Sequence, residues 1–210
     1  MADVPCGYSE STVREFGISA GGVSEMRRGQ VALWCVVYAG EGREQKTEEF
    51  IKGRLPESAC SRCFHLVQRL AYRKQGRVVE AVRDCFPGYV FIETKEPEMV
   101  QKALKNTRGS LLFSDSSFVS VLDGEHEALL DLLCDQGGEI GLSVARVSVD
   151  TDSGRKKAKF LSGPLSRVED RVVQVDFHKR FAKVGGSFSD GRASLKLGFC
   201  YEGEELTVGG

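Results

Sequence analysis

The sequence predicts an α+β protein: an N-terminal antiparallel sheet with flanking helices, followed by a small β barrel of about five strands. Three observations lead there. Residues 31–38 (VALWCVVY) are a nearly unbroken apolar run of strand length, as expected for a strand buried on both faces. In Phe86-Pro87-Gly88-Tyr89-Val90-Phe91-Ile92, a Pro-Gly turn leads into aromatic and β-branched residues, which marks a central strand. From Ser143 onward the apolar period changes to two: Val173, Val175 and Phe177 alternate with Gln174 and Asp176, and Ala193, Leu195, Leu197 and Phe199 with Ser194, Lys196 and Gly198.

In the central strand, alternation puts Tyr89 and Phe91 on one face and Val90 and Ile92 on the other. The aliphatic face can pack on helices. The aromatic face is then free to meet a partner, although by composition alone the same two rings also suit an ordinary core.

Taken in order, residues 1–29 hold Gly17, Gly21, Gly22 and Gly29 amid Ser, Glu and Arg without an apolar period, and read as a disordered leader. Met26 is a second candidate start. After the first strand and a turn at Gly40 to Gly42, residues 44–55 carry Phe50, Ile51 and Leu55 on one side of a helix that Pro56 stops. Residues 63–72 and 76–82 read as two strands of a protruding hairpin, joined by the polar turn Arg73-Lys74-Gln75-Gly76. Glu96-Pro97-Glu98 opens a helix with proline and acids in its first turn, and Met99, Val100, Ala103 and Leu104 give its packing face. Asn106-Thr107-Arg108-Gly109 ends that helix, and residues 111–113 are a short strand. Asp123 caps a third helix with a broad face of Leu129, Leu130, Leu132 and Leu133, broken by Gly137-Gly138. Turns at Asp152-Ser153-Gly154, Gly163-Pro164, Phe177-His178-Lys179 and Asp190-Gly191 punctuate the barrel strands.

A chain of 210 residues with 41% hydrophobic residues and five prolines has room for two small domains. The boundaries expected are a first domain at 30–136, a linker at 137–142, a barrel at 143–204 and a flexible tail at 205–210. No run approaches the roughly eighteen apolar residues of a membrane span, and no basic start with an apolar core marks a signal peptide, so a cytoplasmic location is expected; the chain is expected to be a monomer. Seven irregularly spaced cysteines read as reduced thiols. The net charge of -1 conceals an asymmetry: residues 155–200 carry eleven Lys or Arg against four acids, a local +7. That suits a polyanion partner or a solvated strand surface.

The order and spacing of several motifs resemble the NusG family of transcription elongation factors over residues 32–200. They are Leu33-Trp34-Cys35-Val36-Val37, Phe86-Pro87-Gly88-Tyr89-Val90-Phe91 and Asn106-Thr107-Arg108-Gly109, then Gly163-Pro164-Leu165, Arg171 to Asp176 and the basic turn His178-Lys179-Arg180. The resemblance implies an NGN-type domain followed by a KOW-type barrel. The Gly163-Pro164-Leu165 element with the basic turn is most similar to antiterminators of the LoaP type. Asp170 departs from the KOW pattern, which usually has glycine there; aspartate tolerates a left-handed backbone better than most residues.

In this family the aromatic sheet face holds the clamp helices of RNA polymerase, so the resemblance assigns Trp34, Tyr38, Phe86, Tyr89, Phe91, Arg108 and Phe113 to polymerase binding. Trp34 equally suits a core, and Arg108 a helix-end cation. It assigns Arg155, Lys156, Lys157, His178, Lys179 and Arg180 to nascent RNA, including a folded hairpin. Arg73 and Lys74 at the hairpin tip are further candidates for nucleic acid, on charge alone. Cys60-Ser61-Arg62-Cys63 has the spacing of half a zinc site, but no second pair follows and strand alternation at 63–65 separates neighbouring side chains, so no metal or redox role is expected. No phosphate loop or nucleophile pattern is present, so neither an enzyme nor a cofactor is expected. The rival readings are a KOW-containing RNA-binding protein of ribosome assembly or translation, and a thiol or zinc enzyme on Cys60 and Cys63.

Overall fold

Alternation along the central strand sorts the first unit into two layers. The computed structural model describes residues 32–105, 119–122, 124–185 and 195–208. β1 (Leu33–Tyr38) pairs antiparallel with β5 (Tyr89–Thr94), with Val36 opposite Phe91 and Tyr38 opposite Tyr89. β2 (Arg62–Phe64) and β6 (Val119–Val121) complete a sheet of order β2-β5-β1-β6. Cys35, Val37, Val90 and Ile92 face Ile51 and Leu55 beside α1 (Glu44–Arg54) and Val100 and Leu104 of α2 (Pro97–Lys105). Val37, Val90 and Ile92 are wholly buried, each worth about 1.5–3 kcal/mol against exposure.

Several local expectations are corrected. The segment 63–72 is not one strand: Cys63 and Phe64 pair with β5, while β3 (Val67–Lys74) belongs to another sheet and pairs with β4 (Arg77–Asp84). The break at His65 and Leu66 lets the chain cross between them. Met99 stands 38% exposed, because Val100 and Leu104, with Ala103 packed beside them, have the helical spacing that faces the sheet. In α3 (Gly124–Leu133), Leu132 is likewise exposed, and His126 joins Leu129, Leu130 and Leu133 on the buried face. The expected strand at 111–113, the cap Asp123 and the leader 1–29 lie outside the described residues.

The second unit is a five-stranded, barrel-like sheet of order β10-β11-β12-β8-β9. Its strands are β8 (Ser143–Val149), β9 (Lys156–Ser162), β10 (Val172–Asp176), β11 (Phe181–Val184) and β12 (Leu195–Tyr201). Gly163-Pro164-Leu165 opens a short helix, α4 (Pro164–Arg167), instead of a simple turn. Gly163 has φ +82, and a Cβ there would lie 2.6 Å from Ser143 Cα, so glycine is required on both counts. A register shift between Val172 and Gln174 breaks the expected alternation: Val172 and Val175 pack inward while Val173 is 66% exposed. Asp170 sits in a 3-10 turn (Glu169–Arg171) and does not take the left-handed backbone its position suggested.

The two units share a core. Phe160, Leu165, Val168, Leu195, Leu197 and Phe199 belong to the same apolar cluster as Trp34, Phe64, Phe91 and the leucines of α3. A second contact lies on the outer face of β12, where Cys200 packs with Ala71, Val78, Leu142 and Val144. Gly198 is needed there, since a Cβ would fall 2.5 Å from the Arg69 carbonyl oxygen on β3. The segments expected as linker and tail each contain a short strand. β7 (Glu139–Ile140) pairs with β3, and β13 (Leu206–Val208) pairs parallel with β4, giving a third sheet of order β13-β4-β3-β7.

Candidate functional site

Cross-strand pairing brings Trp34, Val36, Tyr38, Tyr89 and Phe91 onto one face of the first sheet, as alternation predicts. Phe64 joins them from β2, and Phe86 packs at 5.8 Å from the Phe91 ring centre. Trp34 meets Phe64 edge-on at 5.3 Å and Phe91 at 6.4 Å. The face is not open along its whole length. Trp34, Phe86 and Phe91 are each less than 8% exposed, in one cluster with Leu129, Leu130 and Leu133 of α3. The backbone N–H of Trp34 donates to Glu127 Oε1 at 2.8 Å, which ties α3 to β1.

Tyr38 and Tyr89 form the part of the face that remains half-exposed, with ring centres 4.9 Å apart. Gly88 sets this end: it has φ +86, and a Cβ would lie 2.7 Å from the Tyr38 ring. Its N–H donates to the buried carboxylate of Glu44 at 2.5 Å, so α1 fixes the turn that delivers Tyr89. No local sequence signal marked Glu44 for this role, because its partner lies 44 residues away. Arg108 and Phe113 lie outside the described residues.

The basic candidates divide. β8 pairs with β12 as far as Ala145 and Tyr201, then runs on to Val149, so the end of the β8–β9 hairpin, with Arg155 in the turn and Lys156 and Lys157 opening β9, projects beyond β12. The turn between β10 and β11, with His178 and Lys179, lies at that same end, beside Gly198 and Phe199. Arg155, Lys156, Lys157, His178 and Lys179 are exposed. Lys157 is held by Asp150 at 2.5 Å, and that ion pair, with help from Ser153, draws Asp150 down to about 2. The Asp176 carboxylate accepts the N–H groups of His178 and Lys179 and so shapes their turn.

Arg180 does not join this surface. It is 2% exposed, has φ +57, lies 4.4 Å over the Tyr201 ring and forms a two-pronged ion pair with Glu204. Its expected contact with RNA is therefore corrected to a structural one: the guanidinium is already neutralised and covered. At the hairpin tip, Gln75 (φ 52) and Gly76 (φ 80) form the two-residue turn that leaves Arg73, Lys74 and Arg77 exposed.

Residues 32–130 match the family model described as Transcription termination factor nusG. Over this stretch, a little under half of the chain, the protein is similar to that family. The match runs from β1 into α3 and so contains the whole aromatic face, whereas the barrel lies beyond it. NusG-family proteins are transcription elongation and termination factors that bind RNA polymerase and catalyse no reaction. No curated protein matches the chain. Among the described residues, no helix is long and apolar enough to cross a membrane.

Proposed function

We propose that the protein is a cytoplasmic NusG-like elongation and antitermination factor whose N-terminal domain binds the clamp helices of RNA polymerase. The observation that carries this reading is the aromatic face inside the NusG-matched segment, with Tyr38 and Tyr89 at its accessible end. Amphipathic tyrosines in partly desolvated pockets are the residues on which interfaces concentrate their affinity. Trp34, Phe86 and Phe91 continue the same face beside that end as its buried part, and Arg108 and Phe113 extend it in the family pattern. Binding a closed, elongating clamp better than an open, paused one would favour elongation by that difference in affinity alone.

The barrel is the KOW-type unit, and its exposed cations at Arg155, Lys156, Lys157, His178 and Lys179 fit nascent RNA. Phosphate contacts of Lys and Arg are steeply salt-dependent, and an A-form hairpin offers phosphates, shape and loop bases more readily than its deep groove. A role in long-operon antitermination of the LoaP type rests on the Gly163-Pro164-Leu165 element and the basic turn. The test is co-purification of the tagged chain from its source cells. RNA polymerase is expected in the eluate, and ribosomal subunits without polymerase would favour the ribosome-assembly reading instead.

A further inference from the structure

At the outer edge of the first sheet, the turn between α1 and β2 opens into a cavity of about 500 Å³ lined by Glu48, Lys52, Cys60, Arg62, Cys63 and Phe64, among others. Strand alternation argued against a shared role for the two cysteines. Cys60, however, lies before β2, in a turn whose N–H is held by the Pro56 carbonyl at 3.1 Å, so alternation does not govern its direction. Cys60 and Cys63 both line the cavity, and the Cys60 thiol donates to the Arg62 carbonyl at 3.6 Å. Cys60 is half-exposed, whereas Cys35, Cys63, Cys85, Cys134 and Cys200 are buried.

We infer that Cys60 and Cys63 are an oxidation-sensitive dithiol, with Cys60 the attacking thiolate and Cys63 the resolving thiol toward a hydroperoxide that enters this cavity. The local chemistry assigns the roles. The Cys63 thiol and then the Lys52 ammonium favour the thiolate at Cys60 and lower its pKa, while the Cys60 thiolate and burial raise that of Cys63. The thiolate is the nucleophile, and a lowered pKa with partial exposure is the usual setting of a reactive cysteine. Cys60 attacks the peroxide O–O bond and becomes the sulfenic acid, while the other oxygen leaves and takes the proton that the Cys60 thiol gave up to solvent, as water from hydrogen peroxide or as the alcohol from an organic hydroperoxide. Cys63 then attacks that sulfur, its proton and the departing hydroxide form a second water, and the S–S bond closes. Two electrons pass from the two thiols to one peroxide.

Arg62, between the two cysteines in sequence, turns to the opposite face of β2 from Cys63; its guanidinium donates to the carbonyls of Asp135 at 2.8 Å and Gln136 at 3.3 Å and lies over the Trp34 and Phe64 rings. Oxidation therefore acts where the sheet edge meets the segment that leads toward the barrel.

The test treats the intact protein with hydrogen peroxide, alkylates the remaining thiols and maps tryptic peptides. Trypsin cuts after Arg62, between the two cysteines, so a disulfide shows as peptides 55–62 and 63–69 joined until dithiothreitol separates them. The linked pair is expected to appear at least about tenfold faster than oxidation at Cys35, Cys85, Cys134 or Cys200. Cys63→Ser should accumulate a dimedone-reactive Cys60, and Cys60→Ser should leave Cys63 unlabelled. Should either variant fail to fold, the wild-type rates decide alone. Oxidation of Cys60 to the sulfinic acid with Cys63 still reduced, or oxidation of the pair no faster than at the buried thiols, overturns the inference.

Discussion

Tyr89 and Phe91 point from the same face two residues apart, yet their surroundings divide their roles. Phe91 is 4% exposed and packs against Trp34, Phe64 and Phe86, so Phe91→Ala should cost about 3–5 kcal/mol of stability, read as a shift of the denaturant midpoint. A folded, unshifted Phe91→Ala would show that the face is not a core. Arg180 and Glu204 are the second residue-scale case. Removing Glu204 leaves a covered guanidinium without its counter-charge, and Glu204→Ala should destabilise by about 3 kcal/mol. The pH dependence has a definite sign. Arg180 lowers the Glu204 pKa in the folded state, so the stability from this pair is present above the ordinary carboxylate pKa and is lost as pH falls through the lowered one. Acid unfolding of wild type should accordingly converge on that of Glu204→Gln at low pH, and a constant gap between them would contradict this.

At the scale of elements, β12 carries more than its alternation announces. Leu195, Leu197 and Phe199 fill the barrel side as the period of two requires, while Gly198 and Cys200 on the other side pack against the β3–β4 hairpin. A bulky side chain at Gly198 has no space against the Arg69 carbonyl. Gly198→Val should therefore lower the melting temperature of the whole chain and speed proteolysis of both units, whereas Val173→Ser, on the exposed bulge residue, should leave both unchanged. These elements also mark the limits of the sequence. The two faces of β5, the stop of α1 at Pro56 and the hairpin tip were legible because each depends on neighbours within a few positions. The bulge at Val173, the burial of Arg180 and the conversion of the expected tail into β13 depend on partners far along the chain. An arginine looks the same in sequence whether a carboxylate 24 residues away neutralises it or not. Among the site residues, the shared face of Trp34, Tyr38, Tyr89 and Phe91 was legible from parity, but its partial cover by α3 was not.

For the whole molecule, the shared core and the third sheet join the first unit, which the family match covers, to the barrel-like sheet. A fragment of residues 143–210 would lose the β4 partner of β13 and expose Gly198 and Cys200. Sequence alternation alone predicts an autonomous barrel; the observed contacts predict a fragment that melts well below the intact chain, and circular dichroism of both decides between them. The central claim, that the accessible end of the aromatic face binds RNA polymerase, is tested most directly by titrating the intact chain into core RNA polymerase. Wild type is compared with Tyr38→Ala, Tyr89→Ala and, as a remote surface control, Val173→Ser. With folding verified, each tyrosine variant should bind about 30-fold more weakly, corresponding to about 2 kcal/mol, and the control as wild type. Unchanged affinity in both folded tyrosine variants would contradict the claim.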